Sequence, residues 1–422
     1  MKKHVTAGEL VYYALPAFPI ALLGLPLYIY LPTYYAQELG LGVSAVGLIL
    51  LAARLFDMVT DPAVGIVSDR LGGRKPPMLA GAVIVLGAFF ALTYPDADAD
   101  AYWLLGFSLL IYTGWSLLNI PYLTLNAEIS PHYHDKTRLA AAREFGAIIG
   151  VVTALTLPYA FSIADDAGAT LQLMWQILML LTPPLMLLAW YGIPEPERKA
   201  QHRSPTLNAL RTLWRREDGT PRLMAAYLIN NLANALPATL FLFFVELVLR
   251  TPYDTGVLLL VYFVSGLAAL PLWTRLSKRI GKRRSWMLSM LLASAAFAFV
   301  PLLGEGDTTW FFLICLVSGF SLGADMALPA AIQSDAAHAA ETGGERVAGI
   351  FFGLWSMLTK LALALAVGLA FGLLGLAGFD PEAPSAASLT LLSLLYGGLP
   401  VLLKVAALLL LGRYREVSPG AH

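Results

Sequence analysis

The chain has 422 residues, 58% hydrophobic and only 13% charged, against about 25% charged in an ordinary soluble domain. Lys plus Arg and Asp plus Glu each number 28, so no net charge points to nucleic acid. The one cysteine, Cys315, excludes an internal disulfide and a thiolate metal site. The basic start Met1-Lys2-Lys3-His4 precedes an apolar stretch too long for a signal peptide, so Leu10–Leu39 is predicted to be a first membrane span.

Stretches of about 20 apolar residues, the length that crosses a bilayer, follow in chain order. They are Ala45–Ser68, Pro77–Tyr94, Tyr102–Ile129, Leu139–Ala164 and Thr170–Ile193, then Leu223–Leu249, Thr255–Leu276, Trp286–Leu303, Thr309–Ile332, Val347–Gly378 and Leu389–Leu411. The expected architecture is an all-α membrane protein of twelve transmembrane helices. Residues 1–193 form one six-helix bundle and 223–422 the other, joined by an amphipathic cytoplasmic linker, 194–222. Basic residues gather in alternate loops: Arg70, Arg74 and Lys75, then Lys136 and Arg138, then Arg198 to Arg222, Lys278 to Arg284, and Arg413 with Arg415. The opposite loops hold Arg250 and the acids Asp96, Asp98, Asp100, Asp165 and Asp166. Positive loops stay inside, which predicts an inner-membrane protein with both termini cytoplasmic.

The halves repeat. Pro62 and Gly72 recur as Pro271 and Gly281 at an offset of 209, and Pro121 and Arg138 as Pro329 and Arg346 at 208. Parallel halves of this kind build the major facilitator transporters. The loop Gly65-Ile66-Val67-Ser68-Asp69-Arg70-Leu71-Gly72-Gly73-Arg74-Lys75 resembles the signature loop of that superfamily. Its expected role is a conformational latch made by Gly65, Asp69, Arg70, Gly72 and Arg74, with Asp69 meeting basic groups or a helix N-terminus.

An ionised side chain at mid-membrane is costly and marks function by default. Span two carries Arg54, Asp57 and Asp61 on one helix face. Thr60 adjoins them, and Pro62 frees a backbone carbonyl. Two carboxylates and a hydroxyl suit a hard cation such as Na⁺, and a proton is the other candidate. The repeat positions in the second half are Gly266 and Leu270, so the acids are one-sided. The alternative is a buried ion-pair network of Arg54, Asp57, Asp61 and Lys360. Lys360 lies about halfway along span eleven, near the midplane. Lys404, nearer a helix end, is expected to snorkel. Asp325 is a candidate partner for these bases, and Glu246 and Arg250 for a local helix pair. His132-Tyr133-His134-Asp135 reads as a solvated loop, not a metal site. Tyr30 or Tyr34, Trp115, Tyr122 and Trp355 either line a cavity or pack in the core.

Arg54-Leu55-Phe56-Asp57-Met58-Val59-Thr60-Asp61-Pro62 with Gly65 resembles helix two of the glycoside–pentoside–hexuronide:cation symporters. Tyr28-Ile29-Tyr30-Leu31, Asn119-Ile120-Pro121-Tyr122, Arg143-Glu144-Phe145 and Lys360 extend the likeness over most of the chain. The resemblance implies a symporter of a small organic solute, with no cofactor beyond a coupling cation, Na⁺ or H⁺. It places the cation on Asp57, Asp61, Thr60 and a helix-four hydroxyl, Ser116. Lys360 matches a lysine near the cation site and Arg143 an arginine on the cytoplasmic side of the solute cavity. Asn119, Tyr30, Trp115 and Trp355 complete the candidate solute site. The family's galactoside carriers use an aspartate in helix one, another in helix four and a tryptophan four residues on. Here Ala21, Asn119 and Leu123 stand there, which disfavours a galactoside and keeps an amphipathic or anionic solute, such as a lysophospholipid, as the alternative. The expected partners are the solute and the lipid bilayer, with no nucleic acid, and the chain is expected to be a monomer. A membrane-embedded enzyme is a remote third reading, because all six histidines are assigned to loops or tails and no nucleophile elbow is present.

Overall fold

The computed structural model describes residues 4–414 other than 72, 97–98, 131, 164–165, 195–218, 251–254, 342–347 and 381–382. Every regular element among them is helical. In chain order the long helices are α1 (Ala7–Ala36), α2 (Val43–Arg70), α3 (Lys75–Thr93), α4 (Ala101–Glu128), α5 (Tyr133–Ala160) and α6 (Ala167–Gly192), then α7 (Thr220–Leu249), α8 (Gly256–Ile280), α9 (Lys282–Leu302), α10 (Thr308–His338), α11 (Ala348–Leu376) and α12 (Ala386–Gly412). All but α2 are long and apolar enough to cross a membrane. α2 matches them in length, 28 residues, and carries Arg54, Asp57 and Asp61. Most of the expected linker, Gly72, Asp98, Asp165, Arg346 and Arg415 lie outside the described residues.

The chain forms two compact units, Met1–Thr206 with Ala337–Met357, and Leu207–Ala336 with Leu358–His422. The first unit packs Leu22, Leu27, Tyr35, Phe89, Ile111 and Met174 into one core, and Tyr13, Met78, Tyr122 and Leu139 into another. The second packs Leu236, Phe244, Phe311, Ala366 and Tyr396. In the first, α1 and α4 are tied by two reciprocal bonds: the Tyr13 hydroxyl donates to the Tyr122 carbonyl (3.3 Å), and the Tyr122 hydroxyl to the Tyr13 carbonyl (2.6 Å). Tyr122 is therefore core, not cavity lining.

Local chemistry sets the helix ends. Asp100 accepts from the Tyr102 and Trp103 amides, both at 3.0 Å, and Asp166 from the Ala169 amide at 2.7 Å. These acids, seen in the sequence as topology signals, are N-caps that satisfy orphan donors. α1 is interrupted by π-helical turns at Pro26–Tyr30 and Tyr34–Glu38, where Pro26 and Pro32 withhold the amide hydrogens of a regular ladder. Gly281, at φ +90°, makes the turn into α9 that the repeat predicts.

The repeat extends to the ties at the start of α3 and α9. Arg74 pairs with Glu128 at the end of α4, and Lys282 with Asp335 near the end of α10 (2.6 Å). The next residue in each case caps a helix C-terminus. Lys75 donates to the Trp190 and Ile193 carbonyls at the end of α6, and Arg283 to the Gly412 and Tyr414 carbonyls at the end of α12. Such orphan carbonyls need donors.

Several expectations are corrected. Lys404 does not snorkel; it is 3% exposed and bonded to Asn230, Asn234 and Asp325. A lysine snorkels only when lipid surrounds it, and α12 turns this one toward acceptors. Arg250 pairs with Glu305 (3.2 Å) instead of Glu246, because the helix ends in a left-handed residue at Arg250. Asp135 is buried, not solvated: it accepts from the Val5 amide (3.0 Å), Ser130 (2.9 Å) and Arg138 (3.1 Å). His134 lies in the first turn of α5 and His338 in the last of α10.

Candidate functional site

The acids of α2 are 4% and 0% exposed at Asp57 and Asp61. Their spacing of four residues stacks them one above the other, as helical geometry requires. α4 brings the buried Ser116 against them, with Oγ 2.8 Å from Asp57 Oδ1 and 2.6 Å from Asp61 Oδ1. The sequence-expected carboxylate–carboxylate–hydroxyl set therefore exists as a contact. Thr60 points differently: its hydroxyl donates to the Asp57 carbonyl at 3.1 Å, one turn back along α2. Its oxygen keeps lone pairs but is not in the carboxylate cluster. Arg54 is not ion-paired among the described residues; its guanidinium lies 3.8 Å from the Tyr28 ring centre, a cation–π contact.

The residues expected to form a latch divide. Asp69 takes the Gly349 amide on Oδ1 (2.9 Å) and the Ile350 amide on Oδ2 (3.0 Å), capping the start of α11 from another helix. Arg74 holds Asp69 (2.7 Å), Ser68 (2.8 Å) and Glu128. Burial works against the Arg74 charge, but Glu128 and Asp69 outweigh it and keep its pKa above the usual arginine value. Arg70 is exposed and stands outside this network. Gly65 is needed because α2 and α11 meet backbone to backbone there. A Cβ on Gly65 would strike the Gly349 carbonyl, and one on Gly353 would lie 2.6 Å from the Asp61 carbonyl oxygen.

Of the expected solute residues, Trp115 edges a small apolar cavity of about 10 Å³ with Leu23, Val85, Leu178 and Thr182. Tyr30 packs half-buried on the first unit's core, and Asn119 is half-buried on α4. Trp355 is 4% exposed and stacks on Phe351. Arg143 donates from Nε to its neighbour Glu144 at 3.0 Å and forms an ion pair with it. Lys360 lies half-buried on α11, beside Thr359, whose hydroxyl meets Tyr227 at 2.8 Å.

Sequence reasoning missed Glu128, Ser68, Gly349 and Gly353. The spacing Gly349-x-x-x-Gly353 was the available signal, since small residues four apart let helices approach closely. Nothing local marks Glu128, which reads as an ordinary acid at a helix end.

The chain matches the family described as MFS/sugar transport protein over residues 12–415. It is 25% identical to the glucuronide carrier protein homolog of Escherichia coli, over 83% of this chain and 79% of that protein. It is 26% identical to the inner membrane symporter YicJ of E. coli, over 92% and 87%. It is 23% identical to the sodium-dependent lysophosphatidylcholine symporter 1-A of Danio rerio, over 90% and 80%. The E. coli fucose:proton symporter FucP shares its fold at a TM-score of 0.71 and 14% identity, over 97% of this chain and 98% of that one. The chain thus belongs to the MFS/sugar transport protein family, in its glycoside–pentoside–hexuronide branch, and is a multi-pass membrane transporter, not an enzyme.

Proposed function

We propose that the protein couples uptake of a small organic solute to a cation held by Asp57, Asp61 and Ser116, with Thr60 beside them. The observation that carries this reading is the Ser116 hydroxyl in contact with both carboxylates. A hydroxyl has one hydrogen and can donate to one acceptor. The second short contact needs a proton on that acid or a cation beside the oxygens. The pair is thus built to share one positive charge, Na⁺ or H⁺, and the symporter relatives support a coupling cation.

Asn119, Arg143, Tyr30, Trp115, Trp355 and Lys360 are the proposed solute contacts. Arg143 would reach solute only after releasing Glu144. The glucuronide carrier and YicJ favour a glycoside or hexuronide. Ala21 and Leu123 at the galactoside positions, together with the lysophosphatidylcholine relative, support the second reading, an amphipathic or anionic solute. In both, the Lys360 ammonium supplies positive charge in the second half. The domain reading is two halves, 1–193 and 223–422, joined by 194–222, in the inner membrane with both termini cytoplasmic. The repeated Arg74–Glu128 and Lys282–Asp335 ties and the loop charges support it. One chain carries all twelve helices, so a monomer suffices.

The test is reconstitution in liposomes with glycosides, uronates and lysophospholipids offered under an inward Na⁺ gradient or a pH gradient. Accumulation of one class under one gradient is expected, with melibiose and simple galactosides taken up poorly. Uptake that equilibrates and never concentrates under either gradient would sink the coupling.

A further inference from the structure

One face of α7 carries a polar stripe, Tyr227, Asn230, Asn231 and Asn234. The spacing i, i+3, i+4, i+7 lines them up on a helix. Its two ends are held by different partners. At the asparagine end lie Lys404 of α12 and Asp325 of α10, with side chains 3% and 6% exposed. Lys404 Nζ donates to Asn230 Oδ1 (2.9 Å), Asn234 Oδ1 (2.7 Å) and Asp325 Oδ2 (3.2 Å). The Asp325 carboxylate also accepts from Asn230 Nδ2 (3.4 Å), Asn234 Nδ2 (3.0 Å) and the Trp286 indole of α9 (2.7 Å).

Every contact of Nζ is an acceptor and every contact of the carboxylate is a donor, so the pair is ammonium and carboxylate. Both asparagines turn oxygen to the ammonium and nitrogen to the carboxylate. Flipping either amide would replace two attractions with two repulsions. Two amides clamped one turn apart set the rotation of α7 about its axis. That rotation presents Tyr227, whose hydroxyl is 2.8 Å from that of Thr359, the residue before Lys360. Asn231 steadies the same turn by donating to the Tyr227 carbonyl at 2.9 Å.

We propose that Asp325 and Lys404 are positioning residues: through Asn230 and Asn234 they set the rotation of α7, and through Tyr227 they hold the Thr359–Lys360 turn of α11 in place. The ion pair is closed on itself and does not carry the transported cation. Its importance to transport rests on the proposed role of Lys360, but the positioning itself can be read without transport.

The experiment is hydrogen–deuterium exchange on the full chain in lipid nanodiscs, with no solute added. The variants are Tyr227→Phe, Asn234→Leu, the paired Asp325→Leu/Lys404→Met, and the pair combined with Tyr227→Phe. The paired change removes both charges together, which a fold tolerates far better than losing one. The peptide containing Thr359 and Lys360 is expected to exchange about tenfold faster in the paired variant and in Tyr227→Phe. Combining them should add nothing, because both act through one contact. Asn234→Leu, which leaves the ion pair in place, should move the same peptide in the same direction. Unchanged exchange there in Asn234→Leu or the paired variant overturns the proposal, as do effects that multiply in the combination. A failure of the proposed Lys360 solute contact, read separately as unaltered solute uptake in Lys360→Ala, leaves this exchange result intact.

Discussion

At the scale of single residues, the Asp57–Ser116–Asp61 cluster is defined by how few hydrogens it contains. Asp57→Cys and Asp61→Cys are each expected to insert normally and to lose gradient-driven accumulation. Normal concentration of solute by both variants would remove these acids from coupling. Ser116→Ala removes the hydroxyl that both acids touch. Hydrogen bonds to charged groups contribute about 1.5–3 kcal/mol, so apparent cation affinity in uptake should fall roughly tenfold or more. Ser116→Thr keeps the hydroxyl and should stay near wild type; a Thr variant as impaired as Ala would mean that shape, not the hydroxyl, matters. The two acids were legible because charges are conspicuous in an apolar span. Lys404 was equally conspicuous and was misread, since depth along a helix says nothing about which way the side chain faces.

At the scale of elements, α2 and the start of α11 meet without side chains between them. A methyl group at Gly353 would stand 2.6 Å from the Asp61 carbonyl oxygen. Neither backbone can yield locally, so Gly353→Ala should destabilise the protein by about 1–3 kcal/mol. Thermal unfolding in detergent measures this, and an unchanged midpoint would show that the two helices do not hold this contact. Asp69→Ala removes the cap on the Gly349 and Ile350 amides, a loss of about 0.5–2 kcal/mol. It also strips one carboxylate from the buried Arg74. Asp69→Asn retains an acceptor and should fall between the two; equal stability of Asn, Ala and wild type would refute the cap. The loop signature made Asp69 legible, but the amides that donate to it lie 280 and 281 residues away in sequence and no local pattern points to them.

At the scale of the whole molecule, the chain is two repeats with one-sided chemistry. Each repeat ties its third helix, α3 or α9, with a dibasic pair, Arg74-Lys75 or Lys282-Arg283. Only the first half has Asp57, Asp61 and Asp69; the second has Gly266, Leu270 and Lys278 at the same offset of 209. The charged loops set the orientation, because basic loops resist translocation. In a Cys315→Ser background, Gly306→Cys should react with an impermeant maleimide on intact cells. Gly281→Cys should react only after permeabilisation. The opposite pattern would invert the topology.

The sequence by itself determined the class of molecule, the places of its long helices, the repeat and the two acids. Each depends on composition or on periodicity along the chain, and neither changes when the helices pack. Tertiary structure alone decided that Ser116 and not Thr60 meets both carboxylates, which amides Asp69 caps, and that Lys404 is sealed in a polar cluster instead of reaching water. Those outcomes depend on the rotation of one helix against another. Packing many apolar side chains together fixes that rotation, and no single residue announces it. Asn230 and Asn234 show the difference: in sequence they are two polar residues a turn apart, and only with Asp325 and Lys404 on either side does each amide have a single orientation.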